Sequence, residues 1–478
     1  MCNVLKHYTP RFQITYGIFI SEDALGGLMK ALFNYFAPMI LIVLLVCGCS
    51  SSIPQQSVTT SISLPLETNT PTSPPPTITP DPANLLPVRG LYVQFERRGW
   101  PSEWWSGQVI NDFNSMDEVV GHTVAEEVSL QLDQIRLLGV NTIAFELRSS
   151  AATYDAGPFI PPNCNISPAL GLQYPQPTET ELENLTAFLD LVQTKEMKVF
   201  LRLVNTHMEG QPTSDNETWL GSILKQIGNH PALDLVLFEG SPFLVDTNGD
   251  SIMDSCGGPA EPGLWEGPDS VSANYVRWAI DYAHSLGVPY RKLSAQAIVG
   301  NYYVQMQPEN PFMTDGHFWD PVQVQKIIFD DLAVPENERT YALSFYEHRK
   351  CSTAAELPCE DLNPHQWAME TANGVFDVIG RGSGARVVAV EMGLLPPTEP
   401  GWTTEQALES LIWVMQATGM DGGCFWRWTS FDNGEDADPT LALPIKLRGA
   451  DYSFTSVKEL LEKLYTLGFN SEPDFFSK

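Results

Sequence analysis

VAEEVSLQLDQIRLLGVNTIAFEL, residues 124–147, carries two periodicities in succession. Val124, Val128, Leu132, Ile135 and Leu138 recur at helical spacing and give a helix one apolar face. Gly139 is placed to end that helix. VNTIAFEL then reads as a β-branched and aromatic strand over 140–147. A helix passing straight into an apolar strand is one repeat of a parallel sheet covered on both faces.

The repeat recurs outward in both directions. Strands are expected at 89–95, 140–147, 198–204, 233–239, 293–299, 340–346, 386–391 and 422–428. The later helical patterns fall at 179–195, 217–229, 270–286, 321–333, 364–380, 403–418 and 454–467. Eight strand–helix units close more naturally as a (β/α)₈ TIM barrel than as an open sheet, and no GxGxxG loop supports a doubly wound alternative. The expected barrel covers 88–478, with long loops after its strands.

The residues before it read as targeting and tether. ALFNYFAPMILIVLLV, 31–46, has the length of a signal-peptide core and follows Met29 and Lys30, where translation is expected to start. It ends in Val46-Cys47-Gly48-Cys49, which resembles the lipobox of bacterial lipoproteins and implies a lipid on Cys49. Residues 1–49 are thus an N-terminal extension and signal peptide, an uncleaved anchor being the alternative. Residues 50–87 are rich in Ser, Thr and Pro and form an extended linker. The expected location is extracytoplasmic, lipid-anchored to the cell envelope.

With 27 Lys and Arg against 58 Asp and Glu, the net charge of -31 repels phosphate backbones and argues against nucleic acid as a partner. Cys164, Cys256, Cys351, Cys359 and Cys424 lie within the folded part, with no zinc spacing among them. Cys351 and Cys359 are spaced to close a short loop, and Cys164 and Cys256 to bridge two loops. Five free thiols are the alternative. Cys424 sits in an apolar run and reads as a buried thiol.

Barrel chemistry sits at the C-terminal ends of strands. Strand 4 ends LVLFEGSP and places Glu239 there; strand 7 ends VVAVEMG and places Glu391 there. Two carboxylates facing one cleft can divide the roles of acid and nucleophile at a glycosidic bond. Strand 8 continues into Trp426 and Trp428, whose faces suit sugar rings. Glu96 and Glu146 are competing strand-end acids, and Arg202 reads as a counter-charge for barrel carboxylates.

Over 88–478 this layout resembles clan A glycoside hydrolases, family 5 among them. The resemblance implies that Glu239 is the acid/base, kept protonated, and Glu391 the nucleophile. It further implies that Arg148 and Tyr346 keep Glu391 charged and oriented, and that His207, Trp426 and Trp428 hold substrate. The expected carboxyl separation is about 5–5.5 Å, the spacing of a retaining enzyme. One position departs from the family pattern: Phe238 stands where Asn normally precedes the acid/base, and Asn205 or Asn301 can serve in its place. The expected activity is retaining hydrolysis of a β-linked polysaccharide or oligosaccharide by a monomer with no organic cofactor. The rivals are a non-catalytic carbohydrate-binding barrel and a hydrolase of another bond. Asp246, Asn248, Asp250 and Asp254 in DTNGDSIMD resemble the calcium loops of thrombospondin type 3 and dockerin repeats, and suggest one structural Ca²⁺. A solvated turn is the other reading of that loop.

Overall fold

The computed structural model describes residues 85–96, 103–104, 106–117, 121–149, 171–172, 176–205, 214–240, 264, 267–299, 320–346, 364–393, 403–425 and 456–469. Among them, eight parallel strands form a closed ring. They are β1 (Val88–Tyr92), β2 (Thr142–Ser149), β3 (Lys198–Asn205) and β4 (Leu233–Gly240). The ring continues through β5 (Leu293–Val299), β6 (Thr340–Tyr346), β7 (Arg386–Gly393) and β8 (Gly422–Phe425). β1 pairs with β2 from Gly90↔Thr142 and with β8 from Val88↔Gly422, so no edge is left open. The chain is a (β/α)₈ barrel.

Helices follow the strands: α1 (Val124–Leu137), α2 (Glu179–Thr194), α3 (Ser214–Ile227) and α4 (Val271–Ser285). The second half adds α5 (Pro321–Asp331), α6 (Pro364–Ile379), α7 (Thr404–Thr418) and α8 (Ser456–Leu467). Their starts are written in the sequence. Thr123 with Glu126, Thr178 with Glu181, and Thr403 with Gln406 each make a reciprocal capping box. Each satisfies backbone donors that a helix start leaves unpaired. Gly139 follows α1 at φ 78°, the left-handed backbone that glycine adopts without cost.

Strand alternation sorts side chains into two cores. Ile143, Phe145 and Leu147 face the helices, whereas Ala144, Phe200, Leu235, Leu237 and Val388 fill the barrel. Phe145 stacks on Phe188 of α2 at 4.6 Å between centroids, fastening β2 to its helix. At the N-terminal end of the barrel, Arg386 pairs with Asp234 at 2.6 Å and lies over the Phe200 ring.

The seam between β1 and β8 is tight. A Cβ on Gly90 would collide with Cys424 Sγ and come within 2.9 Å of Gly423 O. Tyr465 of α8 donates its hydroxyl to Gly90 O at 3.1 Å and lies 3.4 Å from Gly423 O. Burial holds that hydroxyl protonated well above its ordinary range.

Several boundaries differ from the sequence reading. The first strand stops at Tyr92, and Phe95–Glu96 pairs instead with Glu103–Trp104 as a small antiparallel ribbon. Its apolar run continues because Val93 and Phe95 pack outward beneath α2, not because the barrel strand continues. A short helix, Ser106–Asn111, and a second ribbon, Met116–Asp117 with His122–Thr123, occupy the β1–α1 connection. No helix among the described residues is long and apolar enough to cross a membrane. The expected signal segment, linker and Cys49 lie outside the described residues.

Candidate active site

β4 delivers Glu239 and β7 delivers Glu391, each near the C-terminal end of its strand. Both need a strand irregularity to face inward. On β4 the register with β3 shifts between Val199↔Leu233 and Phe200↔Leu235. From that point Leu235, Leu237 and Glu239 share the inner face, while Phe238 packs outward against the helix layer. Phe238 is therefore absent from the barrel mouth, and its apolar character serves packing.

β7 carries a bulge. Leu343 pairs with Ala389, yet the next residue, Ser344, pairs with Glu391, so Val390 is one residue extra. Ala389 faces the helices, and plain alternation would send Glu391 the same way. The bulge turns Glu391 into the barrel. There Gln296 Nε2 of β5 donates to Glu391 Oε2 at 2.8 Å, and Ser344 Oγ of β6 lies 3.4 Å from the same oxygen. Gln296 also donates to Ser344.

The centre of the mouth is Arg202 of β3, whose side chain is 12 % exposed. Its Nε and Nη2 engage Glu239 Oε2 directly. Its Nη1 donates to Glu146 Oε2 of β2 at 2.9 Å and lies 3.9 Å from Glu391 Oε2. Tyr92 of β1 donates its hydroxyl to Glu146 Oε2 at 3.0 Å. Burial alone would favour the neutral guanidine, but Glu239, Glu146, Glu391 and Tyr92 outweigh it and hold Arg202 charged, well above its ordinary range. Three carboxylates thus gather round one fixed cation. Such a site can bind hydroxyl groups, and it can give or take a proton on a ligand lying over the strand ends.

Of the residues singled out from sequence, Glu239, Glu391, Glu146 and Arg202 meet here. Arg148 is a β2 residue, paired in register with Val204, and Tyr346 closes β6 opposite Gly393. Asn205 ends β3 opposite Gly240. Glu96 lies in the outer ribbon, outside the ring of barrel strands. Trp426, Trp428, His207, Asn301 and the Asp246, Asn248, Asp250 and Asp254 loop lie outside the described residues, as do Cys164, Cys256, Cys351 and Cys359. Cys424 is a buried free thiol inside the barrel, and burial raises its pKa. Among the described residues, no group of three or more His, Cys, Asp or Glu is arranged to hold a metal ion. Tyr92, Gln296 and Ser344 were not singled out from sequence. Their one signal is a polar atom at an inward position of an otherwise apolar strand.

No protein-family model matches the chain. No curated protein matches it either. Among solved structures, it is similar to the endo-beta-1,4-glucanase Xac0029 from Xanthomonas axonopodis pv. citri, with 11% identity and a TM-score of 0.42 over 71% of this chain and 89% of that one. It is also similar to Pseudomonas stutzeri endoglucanase Cel5A in complex with cellobiose, with 13% identity and a TM-score of 0.40 over 72% and 85%. A GH5_18 protein from Bifidobacterium longum in complex with Manb1-4GlcNAc gives 11% identity and a TM-score of 0.45 over 79% and 78%. The strand pairing itself, rather than these likenesses, establishes the barrel.

Proposed function

We propose that the protein is a retaining glycoside hydrolase of β-linked polysaccharide or oligosaccharide, held outside the cytoplasm by a lipid on Cys49. One observation carries the reading: Glu239 and Glu391, from strands on different sides of the ring, converge on one guanidinium at the C-terminal mouth. In the first step Glu391 attacks the anomeric carbon while Glu239 gives its proton to the departing glycosidic oxygen. In the second, Glu239 takes a proton from water, which attacks the anomeric carbon, and Glu391 leaves. Gln296 and Ser344 hold Glu391 Oε2 in place. In this reading Arg148 and Tyr346 are assigned to keep Glu391 charged and oriented, and His207, Trp426 and Trp428 to hold the substrate. The test is a screen of the purified protein against β-glucans, mannans and xylans, with NMR of the first-formed anomer. Release of sugar with retained configuration supports the reading; no release from any of them overturns it.

The direct Arg202–Glu239 contact favours a second reading, a carbohydrate-binding barrel without hydrolysis, because the guanidinium occupies the oxygen that a proton donor would turn toward the glycosidic bond. Calorimetry with cello- and manno-oligosaccharides separates the two: binding heat without product belongs to the second.

A further inference from the structure

The proposed reaction uses two carboxylates, and among the described residues the site holds three. Glu146 is 9 % exposed and occupies one arm of Arg202, Nη1. That arm is also the one nearest Glu391, at 3.9 Å. The remaining arms belong to Glu239. Among the described residues, the groups facing this cluster come from the whole ring: Tyr92, Gln296 and Ser344 around it, and the Arg386–Asp234 pair with Cys424 deeper in the barrel.

An opposite charge within about 4–6 Å of a carboxylate favours its charged form. A second anion on the same guanidinium offsets that pull. Among the described residues, three carboxylates share that one guanidinium, and like charges so close together oppose the loss of a proton from the group.

We propose that Glu146 is a positioning residue for the Glu239/Glu391 couple: it takes one arm of Arg202, divides the guanidinium's charge, and lets the couple keep a catalytic proton. This rests on the hydrolase reading. Glu146 itself touches no reacting atom in that scheme. Its action runs through Arg202, and the couple titrates as a unit with it.

The experiment records kcat/KM against pH, and melting temperature against pH, for the full chain and three variants. Glu146→Gln keeps the acceptor for Tyr92 and Arg202 but removes the charge. It should move the alkaline limb of the profile down by about one pH unit. Arg202→Gln should move it up by a similar amount, and the double variant should return it close to the wild-type position. Limbs that stay put, or move the same way in both single variants, overturn the proposal. A merely structural role would lower rates without this sign pattern.

If the wild type hydrolyses nothing, the hydrolase reading falls and the melting curves decide. Without its cation the carboxylate cluster is disfavoured while ionised, so the stability deficit of Arg202→Gln should shrink as pH falls, and should be smaller in the double variant. A deficit independent of pH, or one no smaller in the double variant, overturns the charge division. Should Arg202→Gln not fold, Arg202→Lys takes its place. It keeps the charge and loses the fork, so it can no longer serve Glu146 and Glu239 together. Its limb should then lie between those of Glu146→Gln and the wild type, and a limb above the wild type overturns the proposal.

Discussion

Gln296 and Glu391 stand on strands that are not neighbours, yet the amide of one donates to the carboxylate of the other at 2.8 Å. The bond reaches over β6, where Ser344 fills the space between them. A carboxylate held by an amide donor keeps its unshared electrons available to a carbon above the strand ends. This arrangement suits a nucleophile better than a proton donor, and it sets the first prediction.

Glu391→Ala should reduce hydrolysis to background while the melting temperature stays close to wild type. Glu239→Ala should slow unactivated substrates by about 10²–10⁴-fold, the usual worth of a general acid, and aryl glycosides with good leaving groups far less. Steady-state kinetics on a matched pair of substrates checks both. Equal losses on the two substrates for Glu239→Ala would remove it from the acid role.

At the seam, Gly90→Ala should destabilise by about 1–3 kcal/mol, because the new methyl collides with Cys424 Sγ inside a closed ring. Tyr465→Phe should cost about 1–3 kcal/mol by leaving the buried Gly90 carbonyl without that donor. Urea denaturation should show a lower midpoint at unchanged slope for each.

Asp330 links stability to acid. Partial burial raises its pKa, hydrogen bonds from Arg339 and Lys326 and their charges outweigh this, and the result lies below the ordinary value. A carboxylate lowered on folding stabilises above its unfolded pKa, about 3.9, and that contribution fades as pH falls through the folded value. Asp330→Asn should therefore melt below wild type near neutrality, with the difference closing in acid. A constant gap across pH would mean that packing, not charge, is lost.

Mass spectrometry of the protein purified from membranes should find a mature chain beginning at Cys49 and carrying lipid. An unmodified Cys49 still attached to residues 29–48 would remove the anchor from the reading.

The loop containing Asp246, Asn248, Asp250 and Asp254 is proposed to bind one Ca²⁺. Added calcium should then raise the melting temperature by mass action, and EDTA should reverse it. Curves that superimpose would leave the loop a solvated turn.

Much of the barrel was legible because its signals are local. The face Val124, Val128, Leu132 and Ile135 is buried in α1, and Thr123 and Glu126 cap it as neighbours three residues apart. Strand ends followed from where the β-branched and aromatic runs stop, so Glu239 and Glu391 were found by position along the strand, while the irregularities that turn them inward were not. What escaped was whatever depends on several strands together. Arg202 reads as a generic counter-charge until β2, β4 and β7 bring Glu146, Glu239 and Glu391 around it. Gln296 and Ser344 look like minor polar interruptions until β5, β6 and β7 are placed side by side. The end of the first strand escaped for a related reason: Val93 and Phe95 are as apolar as a barrel strand, but their partner is the helix layer.

The extra residue at Val390 ties the proposed chemistry to strand register as well as to side-chain identity. If β7 instead paired with β6 in unbroken register, with Val390 opposite Ser344, the carboxylate would swing out among the helices. Every proposed catalytic side chain would still be encoded, and Leu343 and Ala389 would still be partners. In descendants of this chain, a one-residue slip of β7 against β6 is therefore a route from catalyst to inert barrel. A comparison that scores only which residues are present would miss it.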